Sequence, residues 1–337
     1  MALRILDLFS GIGGFSIALH SIAKTVGYCE IDDNCRKVLE KNMRLGNLDK
    51  APIFHDVTKL SKQDLQQIKP NMITAGFPCQ DISVANPNGK GLDGEKSGLF
   101  SEIIRLVDLD PNIKYVFMEN SSQIIDKGYD YIASQFRMRG FVVKYTLLRA
   151  SDMGAVHKRL RWYCLCYKAG SDKVLKQFII PEEYLKFNWI NWKKYKTVIP
   201  ISSKQHKMRN LVRCKMLGNS IVPQCCMHAW NTLIHDKGKV DYVRSTPYNQ
   251  RSARLDLVFT DGHNTIVKPL WATPVHSIWH NYSHLTSRGS TLLSNQSYYY
   301  EKAETHLLDK LQHYNKYITN PVFVECLMGY TKGWTKL

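Results

Sequence analysis

Features that mark membrane-spanning and secreted proteins are missing from this sequence. No stretch of its 337 residues approaches the roughly 18 consecutive apolar residues that a membrane span requires. The first residues, MALRILDLFSG, contain neither the long apolar segment nor the small-residue cleavage site of a signal peptide. These absences predict a protein without a membrane partner, in a reducing compartment inside the cell.

Metal-binding and disulfide patterns are also missing. Nine cysteines occur, but no two of them have the Cys-x-x-Cys spacing of a zinc site or a redox motif. The sequence therefore predicts no metal site, and it predicts cysteines that are mostly structural and reduced.

Acidic residues are scarce relative to basic ones. The chain has 29 Asp and Glu against 46 Lys and Arg, a formal net charge of +17. Residues 1–170 contribute +5 of this (23 basic, 18 acidic), and residues 171–337 contribute +12 (23 basic, 11 acidic). A folded, strongly basic second half indicates a polyanionic partner, of which nucleic acid is the commonest. Because many basic proteins bind no nucleic acid, charge alone does not decide the matter.

Strands and helices alternate regularly in the first half of the chain. Apolar segments typical of strands lie at residues 4–9, 26–31, 52–55, 72–76, 115–119, 141–148 and 161–167. Helical patterns lie at residues 15–23, 35–43, 101–107, 124–138, 223–235 and 322–328. The alternation predicts an α/β fold with a Rossmann-like, doubly wound, mostly parallel sheet. Ligands of such sheets bind at the carboxyl ends of the strands.

The first predicted strand leads into a glycine turn, SGIGG, at residues 10–14. Its spacing is neither that of a dinucleotide-binding Gly-x-Gly-x-x-Gly motif nor that of a P-loop. Glu30 ends the second strand, where a carboxylate can accept hydrogen bonds from two ribose hydroxyls. Asp56 ends the third, where it can accept from an adenine amino group. Together they predict a nucleoside site, and a purely structural tight turn is the alternative.

Three further groups follow predicted strands. Cys79, in GFPCQ, can present a nucleophilic thiolate, although a buried inert thiol is the usual fate of a lone cysteine. Glu119, after the apolar strand YVFM, can act as a protonated acid if it is desolvated, or can be a simple edge residue. Arg159 and Arg161 are predicted to share one face of a strand, where they suit an anion or a base edge. A solvated basic face is the alternative for these arginines.

Five segments recur in a characteristic order: DLFSGIGGF (7–15), GFPCQ (76–80), MENS (118–121), HKRLR (157–161) and GNSIVP (218–223). In this order the sequence resembles the cytosine-C5 DNA methyltransferases, which use S-adenosylmethionine. The resemblance covers residues 1–170 nearly continuously, and residues 217–235. It implies that Cys79 is the nucleophile, Glu119 the acid beside it, and Arg159 and Arg161 the arginine pair of the active site. The cofactor contacts that it implies are Phe9, Gly11, Gly13, Glu30, Asp56, Pro78, Asn219 and Ser220.

The resemblance also implies the chemistry and the partner. Members of the family add a thiolate to C6 of a cytosine that has flipped out of the duplex, and then methylate C5. We therefore expect S-adenosylmethionine as the cofactor, double-stranded DNA as the partner, and a monomer. The glycine-rich residues 80–98 resemble the mobile loop that closes over the flipped base in this family.

The order of the segments departs from most of the family in one respect. About 100 residues follow the Gly-Asn block (residues 218–223), and only residues 168–216 separate it from the arginine block (residues 157–161). We therefore predict a catalytic domain at residues 1–170 plus 217–237, a basic connecting segment at 171–216, and a target-recognition domain at 238–337. Some virus- and phage-encoded members look similar in this respect. Candidate base-reading side chains, chosen by chemistry alone, are Arg244, Arg251, Arg254 and Arg288.

Three rival functions remain open at this point. A tRNA cytosine-C5 methyltransferase would use the same catalytic domain, and the long basic second half favours DNA without deciding between them. A catalytically inactive DNA-binding homologue is disfavoured because Cys79, Glu119 and both arginines are retained. A nucleotide-dependent oxidoreductase is disfavoured by the form of the glycine turn and by the nucleophile.

Overall fold

The computed structural model describes residues 3–78, 98–155, 157–185, 201–203, 207–235, 256–261, 264–269, 317–319 and 321–337. Cys79 and residues 80–97 of the predicted loop lie outside the described residues. The four arginines proposed as base readers also lie outside them: Arg244, Arg251, Arg254 and Arg288.

A seven-stranded sheet forms the centre of the described structure, with strand order β3-β2-β1-β4-β5-β7-β6. The strands are β1 Leu3–Leu8, β2 Ala23–Cys29, β3 Ile53–Phe54, β4 Met72–Ala75, β5 Tyr115–Ser121, β6 Phe141–Arg149 and β7 Leu160–Lys168. The first five are parallel, whereas β7 is antiparallel to both β5 and β6. The predicted Rossmann-like, mostly parallel sheet is thus confirmed. Its carboxyl edge brings together the ends of β1, β2, β4 and β5.

Helices cover both faces of the sheet because β-strand side chains alternate between two apolar layers. The helices are α1 Gly14–Leu19, α2 Asp33–Arg44, α3 Lys62–Ile68, α4 Gly98–Leu109, α5 Ile124–Lys127, α6 Tyr129–Arg137, α7 Asp172–Leu175, α8 Glu182–Leu185, α9 Lys207–Asn219, α10 Pro223–Ile234 and α11 Pro321–Leu327. One core joins α1, α2, α9, α10 and α11 to the sheet face that carries Phe117 and Tyr163. The other core joins α3, α4, α5 and α6 to the face that carries Met118 and Trp162.

Some elements differ from the sequence-based prediction. The helix predicted at residues 124–138 is two helices, divided at Gly128, whose φ of −165° takes it out of helical geometry. The helix predicted at residues 15–23 ends at Leu19, because Ala23 already starts β2. Helix α9 was not predicted, although it leads directly into the Gly-Asn block.

Residues 321–337 pack on the α/β core. Val324, Leu327, Met328 and Trp334 belong to the same buried cluster as α1 and α10. These residues fall within the target-recognition domain predicted at 238–337. That division stays a prediction, but the packing favours ending the recognition region before residue 321.

Two short antiparallel ladders lie outside the main sheet. Strand β8 (Ile201–Ser203) pairs with β11 (Tyr317–Thr319), and β9 (Asp256–Asp261) pairs with β10 (Asn264–Pro269). The first ladder joins a strand near the start of α9 to a strand that precedes α11. Among the described residues, every helix is too short or too polar to cross a membrane.

Candidate active site

The glycine turn at residues 10–14 connects β1 to α1 with several left-handed backbone positions. Gly11 has φ of 53° and Gly13 has φ of 88°, values that favour glycine because it lacks a Cβ. Phe9, at φ 53°, is one of the few non-glycine residues with positive φ among those described. The turn is therefore a sharp, specific shape, closed by a hydrogen bond from the Gly13 N–H to the Ser10 carbonyl oxygen at 2.9 Å.

Glu30 follows β2 and holds the turn in place. Its Oε2 accepts a hydrogen bond from the Gly11 N–H at 2.7 Å, and its Oε1 accepts from the Asp32 N–H at 2.8 Å. The side chain is buried, and burial raises the pKa of Glu30, while these two backbone bonds oppose the rise. Each carboxylate oxygen keeps a further lone pair for a ribose hydroxyl. The glycine turn and Glu30, which were predicted to belong to one site, are thus joined by a direct hydrogen bond.

Asp56 lies on the neighbouring strand end but is committed to a local role. It caps a 3₁₀ turn at residues 57–59, where its Oδ1 accepts from the Thr58 N–H at 2.9 Å and the Thr58 hydroxyl at 2.8 Å. These bonds lower the pKa of Asp56. Its other oxygen, Oδ2, is the atom that could accept from an adenine amino group.

Ile31 was not singled out from the sequence. It follows Glu30 directly, just after β2, and 78% of its surface is exposed. An apolar side chain in this position offers a flat contact for the face of a nucleobase. The sequence does indicate this residue, because Ile31 is an apolar side chain between Glu30 and Asp32, the N-cap of α2.

The segment that leads to Cys79 is tied to β5. Asn120 donates from Nδ2 to the carbonyl oxygen of Phe77 at 3.0 Å, and Asn120 is buried. Pro78, the next residue, is exposed at the same strand edge. Asn120 was not among the predicted site residues, although its place beside Glu119 in MENS could have suggested it. Its amide fixes the backbone two residues before Cys79.

Glu119 is a buried carboxyl group on β5, two residues before the strand ends at Ser121. Its Oε1 lies 3.0 Å from Nε of Arg161, and the residue is only 8% exposed. A Cβ built on Gly76 would lie 3.8 Å from its Oε2, so the carboxyl group stands beside the GFPCQ segment. Burial raises the pKa of Glu119, and the charges of Arg161 and then Arg159 oppose the rise. A carboxyl group in this balance can hold a proton and donate it in a hydrogen bond.

Arg159 is placed differently from the prediction. It lies immediately before β7, with φ of 21°, and therefore outside the strand that contains Arg161. Its Nη1 and Nη2 groups donate to the carbonyl oxygen of Gly218 at 3.3 Å, and Nη2 also donates to that of Ser220. Burial, followed by the charge of Arg161, lowers the pKa of Arg159 to about 9, so it stays charged at neutral pH. Arg159 thus fastens the arginine block to the Gly-Asn block.

His157 is a fully buried neutral imidazole. Its Nε2 donates to the carbonyl oxygen of Leu327 at 2.9 Å, which sets the tautomer because a carbonyl can only accept. Burial, with a smaller effect of Arg159, lowers the pKa of His157 to about 3. The residue therefore connects the arginine block to α11.

The Gly-Asn block reaches the glycine turn through close packing. A Cβ built on Gly14 would stand 2.5 Å from Cγ1 of Ile221, so the two segments approach as closely as glycine allows. Asn219 is exposed at the end of α9, whereas Ser220 is buried and donates from Oγ to the Leu217 carbonyl oxygen at 2.8 Å. Of the predicted cofactor residues, the structure therefore assembles the turn, Glu30 and the Gly-Asn block at one edge of the sheet.

The fold and the site define the class: an α/β protein with a Rossmann-like, mostly parallel sheet, a glycine turn after β1 that Glu30 holds, and a carboxyl–arginine pair across β5 and β7. The model of the family "C-5 cytosine-specific DNA methylase" matches residues 3–288. The chain belongs to this family.

Individual relatives are similar over parts of the chain. The Type II methyltransferase M.CviJI of Paramecium bursaria Chlorella virus IL3A is 32% identical over 234 residues, which are 69% of this chain and 60% of that protein. The Type II methyltransferase M.HgiBI of Herpetosiphon aurantiacus is 29% identical over 53% of this chain and 40% of its own. A crystal structure of a DNMT2 mutant from Spodoptera frugiperda overlaps 50% of this chain and 51% of its own, with a TM-score of 0.42 and 25% identity. The chain thus matches three fifths or less of the length of these curated relatives.

Proposed function

We propose that this protein is a DNA (cytosine-5-)-methyltransferase that transfers a methyl group from S-adenosylmethionine to C5 of a flipped-out cytosine in duplex DNA. The observation that carries the proposal is the buried carboxyl group of Glu119, paired with Arg161 and standing beside Gly76, three residues before Cys79. A desolvated acid on β5, and a cysteine that follows β4 by four residues in the sequence, form the pair of groups that cytosine-C5 methylation requires.

The residues at the edge of β1 and β2 fit the proposed cofactor. The glycine turn suits the methionine part because Gly11 and Gly13 lack a Cβ and let a ligand approach the backbone closely, and the free lone pairs of Glu30 suit the ribose hydroxyls. Exposed Ile31 suits the adenine face, and Pro78 lies at the neighbouring strand end. When bound, S-adenosylmethionine supplies an electrophilic methyl group on a sulfonium.

Cys79 acts as the nucleophile in this proposal. Its thiolate forms a bond to C6 of cytosine, and the electron pair of the C5–C6 double bond becomes available at C5. C5 then takes the methyl group, with the sulfonium bond breaking to leave S-adenosylhomocysteine. Removal of the C5 proton by a base restores the double bond and expels the thiolate.

Glu119 and Arg161 stabilise the ring during addition. The raised pKa of Glu119 lets its carboxyl group donate a hydrogen bond to N3 as negative charge develops there, while its other oxygen accepts from the exocyclic amine. Arg161 holds the acid in place through its Nε and has further donors for the O2 edge. Arg159 supports this part of the site by donating from its guanidinium to the carbonyl oxygens of Gly218 and Ser220.

A base in a stacked duplex is out of reach of these groups, so the target cytosine must leave the helix. We propose that the basic second half of the chain binds the phosphates, with sequence readout in the region after residue 237. Because each neutralised phosphate releases counterions, DNA affinity is expected to fall steeply as salt is raised.

The direct test is transfer of a labelled methyl group from S-adenosylmethionine to random-sequence duplex DNA and, in parallel, to tRNA. We expect methylated DNA with the wild-type chain, no detectable product with Cys79→Ala, and a rate lowered by about 10²–10³-fold with Glu119→Gln. Cys166→Ala is the matched control, because Cys166 lies on β7 on the sheet face opposite Glu119, and it should keep the wild-type rate within about twofold.

Two outcomes would contradict the proposal. Transfer to tRNA alone would replace DNA by tRNA as the substrate, and no transfer to either would end the enzyme assignment. DNA containing 5-fluorocytosine tests the covalent step by itself. Fluorine at C5 cannot leave as a proton, so the final elimination that expels the thiolate is blocked. Such DNA should remain attached to the wild-type protein through denaturation, and should not attach to Cys79→Ala.

A further inference from the structure

A residue far along the chain reaches into the glycine turn. The indole Nε1 of Trp334 donates to the carbonyl oxygen of Ile12 at 2.9 Å, across 322 sequence positions. Trp334 is 6% exposed and Ile12 is 1% exposed, so water does not compete for this bond. The turn is therefore held at two successive residues: Glu30 binds the N–H of Gly11, and Trp334 binds the carbonyl of Ile12.

Trp334 is itself fixed by a buried polar network. Glu325, with no exposed surface, accepts hydrogen bonds from Arg213 Nη2 at 2.9 Å, from the Gly333 N–H at 2.7 Å and from the Thr335 N–H at 2.7 Å. The two bonds to backbone N–H groups flank Trp334 on both sides. Because the acceptor Glu325 is fully buried, the network holds residues 333–335 in one geometry.

Helix α2 anchors the same residues from the other side. Lys41 donates from Nζ to the carbonyl oxygen of Gly333, and Asn42 donates from Nδ2 to that of Trp334 at 3.2 Å. Helix α2 begins at Asp33, three residues after Glu30. Glu30 and α2 are thus neighbours in the sequence: Glu30 binds the turn directly, and α2 binds the residues around Trp334.

The neighbouring residues contact the other blocks of the site. The Tyr330 hydroxyl donates to the Ile221 carbonyl oxygen at 3.0 Å, and it stands 2.7 Å from a Cβ built on Gly14. The Leu327 carbonyl oxygen accepts from His157. Residues 321–337 thus contact the glycine turn, the Gly-Asn block and the arginine block.

We propose that Trp334 is a positioning residue for the cofactor, which holds the glycine turn in the shape that receives S-adenosylmethionine. Glycines at positions 11 and 13 allow many backbone conformations, so an untethered turn would lose entropy when the cofactor binds. A turn already fixed in the free protein avoids that cost, and affinity rises accordingly. The inference rests on the proposed function only in the identity of the cofactor.

The test compares two tryptophans in the same chemical setting. Trp334→Phe removes the indole N–H from the Ile12 carbonyl, and Trp230→Phe removes an equivalent bond, from Nε1 to the Phe178 carbonyl oxygen at 2.7 Å. Trp230 lies fully buried in α10, and its hydrogen bond ends on Phe178, which is not part of the glycine turn. Both variants should lower the melting temperature by similar amounts. Only Trp334→Phe should weaken binding of S-adenosylhomocysteine, by about fivefold or more in isothermal titration calorimetry.

Kinetics provides a second readout that a purely structural role would not move. For Trp334→Phe we expect the KM for S-adenosylmethionine to rise about fivefold while kcat at saturation changes less than about twofold. Lys41→Met removes the hydrogen bond from Nζ to the Gly333 carbonyl oxygen, next to Trp334, and leaves the buried core intact. This variant should fold normally, and its dissociation constant for S-adenosylhomocysteine should rise about twofold to threefold.

Equal affinities of Trp334→Phe and the wild type, or equal losses in both tryptophan variants, would overturn the inference. The failure of the proposed function looks different. If the wild-type chain does not bind S-adenosylhomocysteine, the cofactor assignment fails, and if it binds but does not methylate DNA, the inference about Trp334 still stands.

Discussion

Gly14 offers a sharp test of the packing between the glycine turn and the Gly-Asn block. It is the first residue of α1, and a Cβ placed on it would stand 2.5 Å from Cγ1 of Ile221 and 2.7 Å from the Tyr330 hydroxyl oxygen. Ordinary carbon–carbon contacts lie at about 3.5–4.0 Å, so Gly14→Ala requires Ile221 to move by about 1 Å. Ile221 is 6% exposed and packed in the core, which leaves little room for such a movement.

Two opposing effects set the size of the change. Replacing glycine by alanine in a helix stabilises the folded state by about 0.5–1 kcal/mol where space is available. Overpacking of a filled core costs about 1–3 kcal/mol. The net expectation for Gly14→Ala is a loss of about 0.5–2 kcal/mol in the free energy of unfolding.

Gly98 provides the matched control, because it is also the first residue of a helix, α4, and a Cβ placed on it would meet nothing within 4 Å in the described part of the chain. Gly98→Ala should therefore gain about 0.5–1 kcal/mol. Urea denaturation followed by tryptophan fluorescence measures both variants, with the slope m expected to stay constant. If Gly14→Ala were as stable as Gly98→Ala, the close approach of the two segments would be refuted.

Two buried charged groups lead to further predictions. Burial raises the pKa of Asp7 to about 7 from 3.8, so the folded protein binds this proton more tightly than the unfolded chain does. As the pH rises from about 4 to about 7, the free energy of unfolding therefore falls. Asp7→Asn should thus gain stability relative to the wild type, by up to about 4 kcal/mol, between pH 4 and pH 7.5; a difference in urea midpoints that stays constant with pH would contradict this. Arg213→Met leaves the fully buried Glu325 without its cation and should cost about 3–5 kcal/mol, measured by the same titration at pH 7. A cost below about 1 kcal/mol would show that the backbone donors alone neutralise Glu325.

The strand ends were predictable from local sequence because they depend on short-range patterns. Apolar runs followed by Gly, Glu or Pro place Gly11, Glu30 and Glu119 at strand ends whatever the rest of the chain does. The contact between Gly11 and Glu30 follows from the parallel pairing of β1 with β2, which the alternation of strands and helices already implies. The roles assigned to these residues and to Cys79 stay predictions.

Contacts between distant segments were not predictable in the same way. Arg159 lies just before β7, and its guanidinium donates to carbonyl groups some 60 positions later, at Gly218 and Ser220. No local pattern contains that information. The packing of residues 321–337 escaped prediction for the same reason, since its partners Ile12 and Lys41 are about 300 positions away. Helix α9 escaped because its apolar residues do not form a clear stripe along one face.

The bond between Trp334 and Ile12 has a consequence for the timing of folding during synthesis. A ribosome adding about 5–20 residues per second completes the glycine turn roughly 15–60 seconds before it reaches Trp334, 322 positions later. Throughout that interval the nascent chain contains the residues of the first strand and the turn but lacks the indole that donates to the Ile12 carbonyl oxygen. If Trp334 has the positioning role proposed above, the proposed cofactor site is completed late, and a chain interrupted before residue 334 would have a glycine turn held by Glu30 but not by the indole.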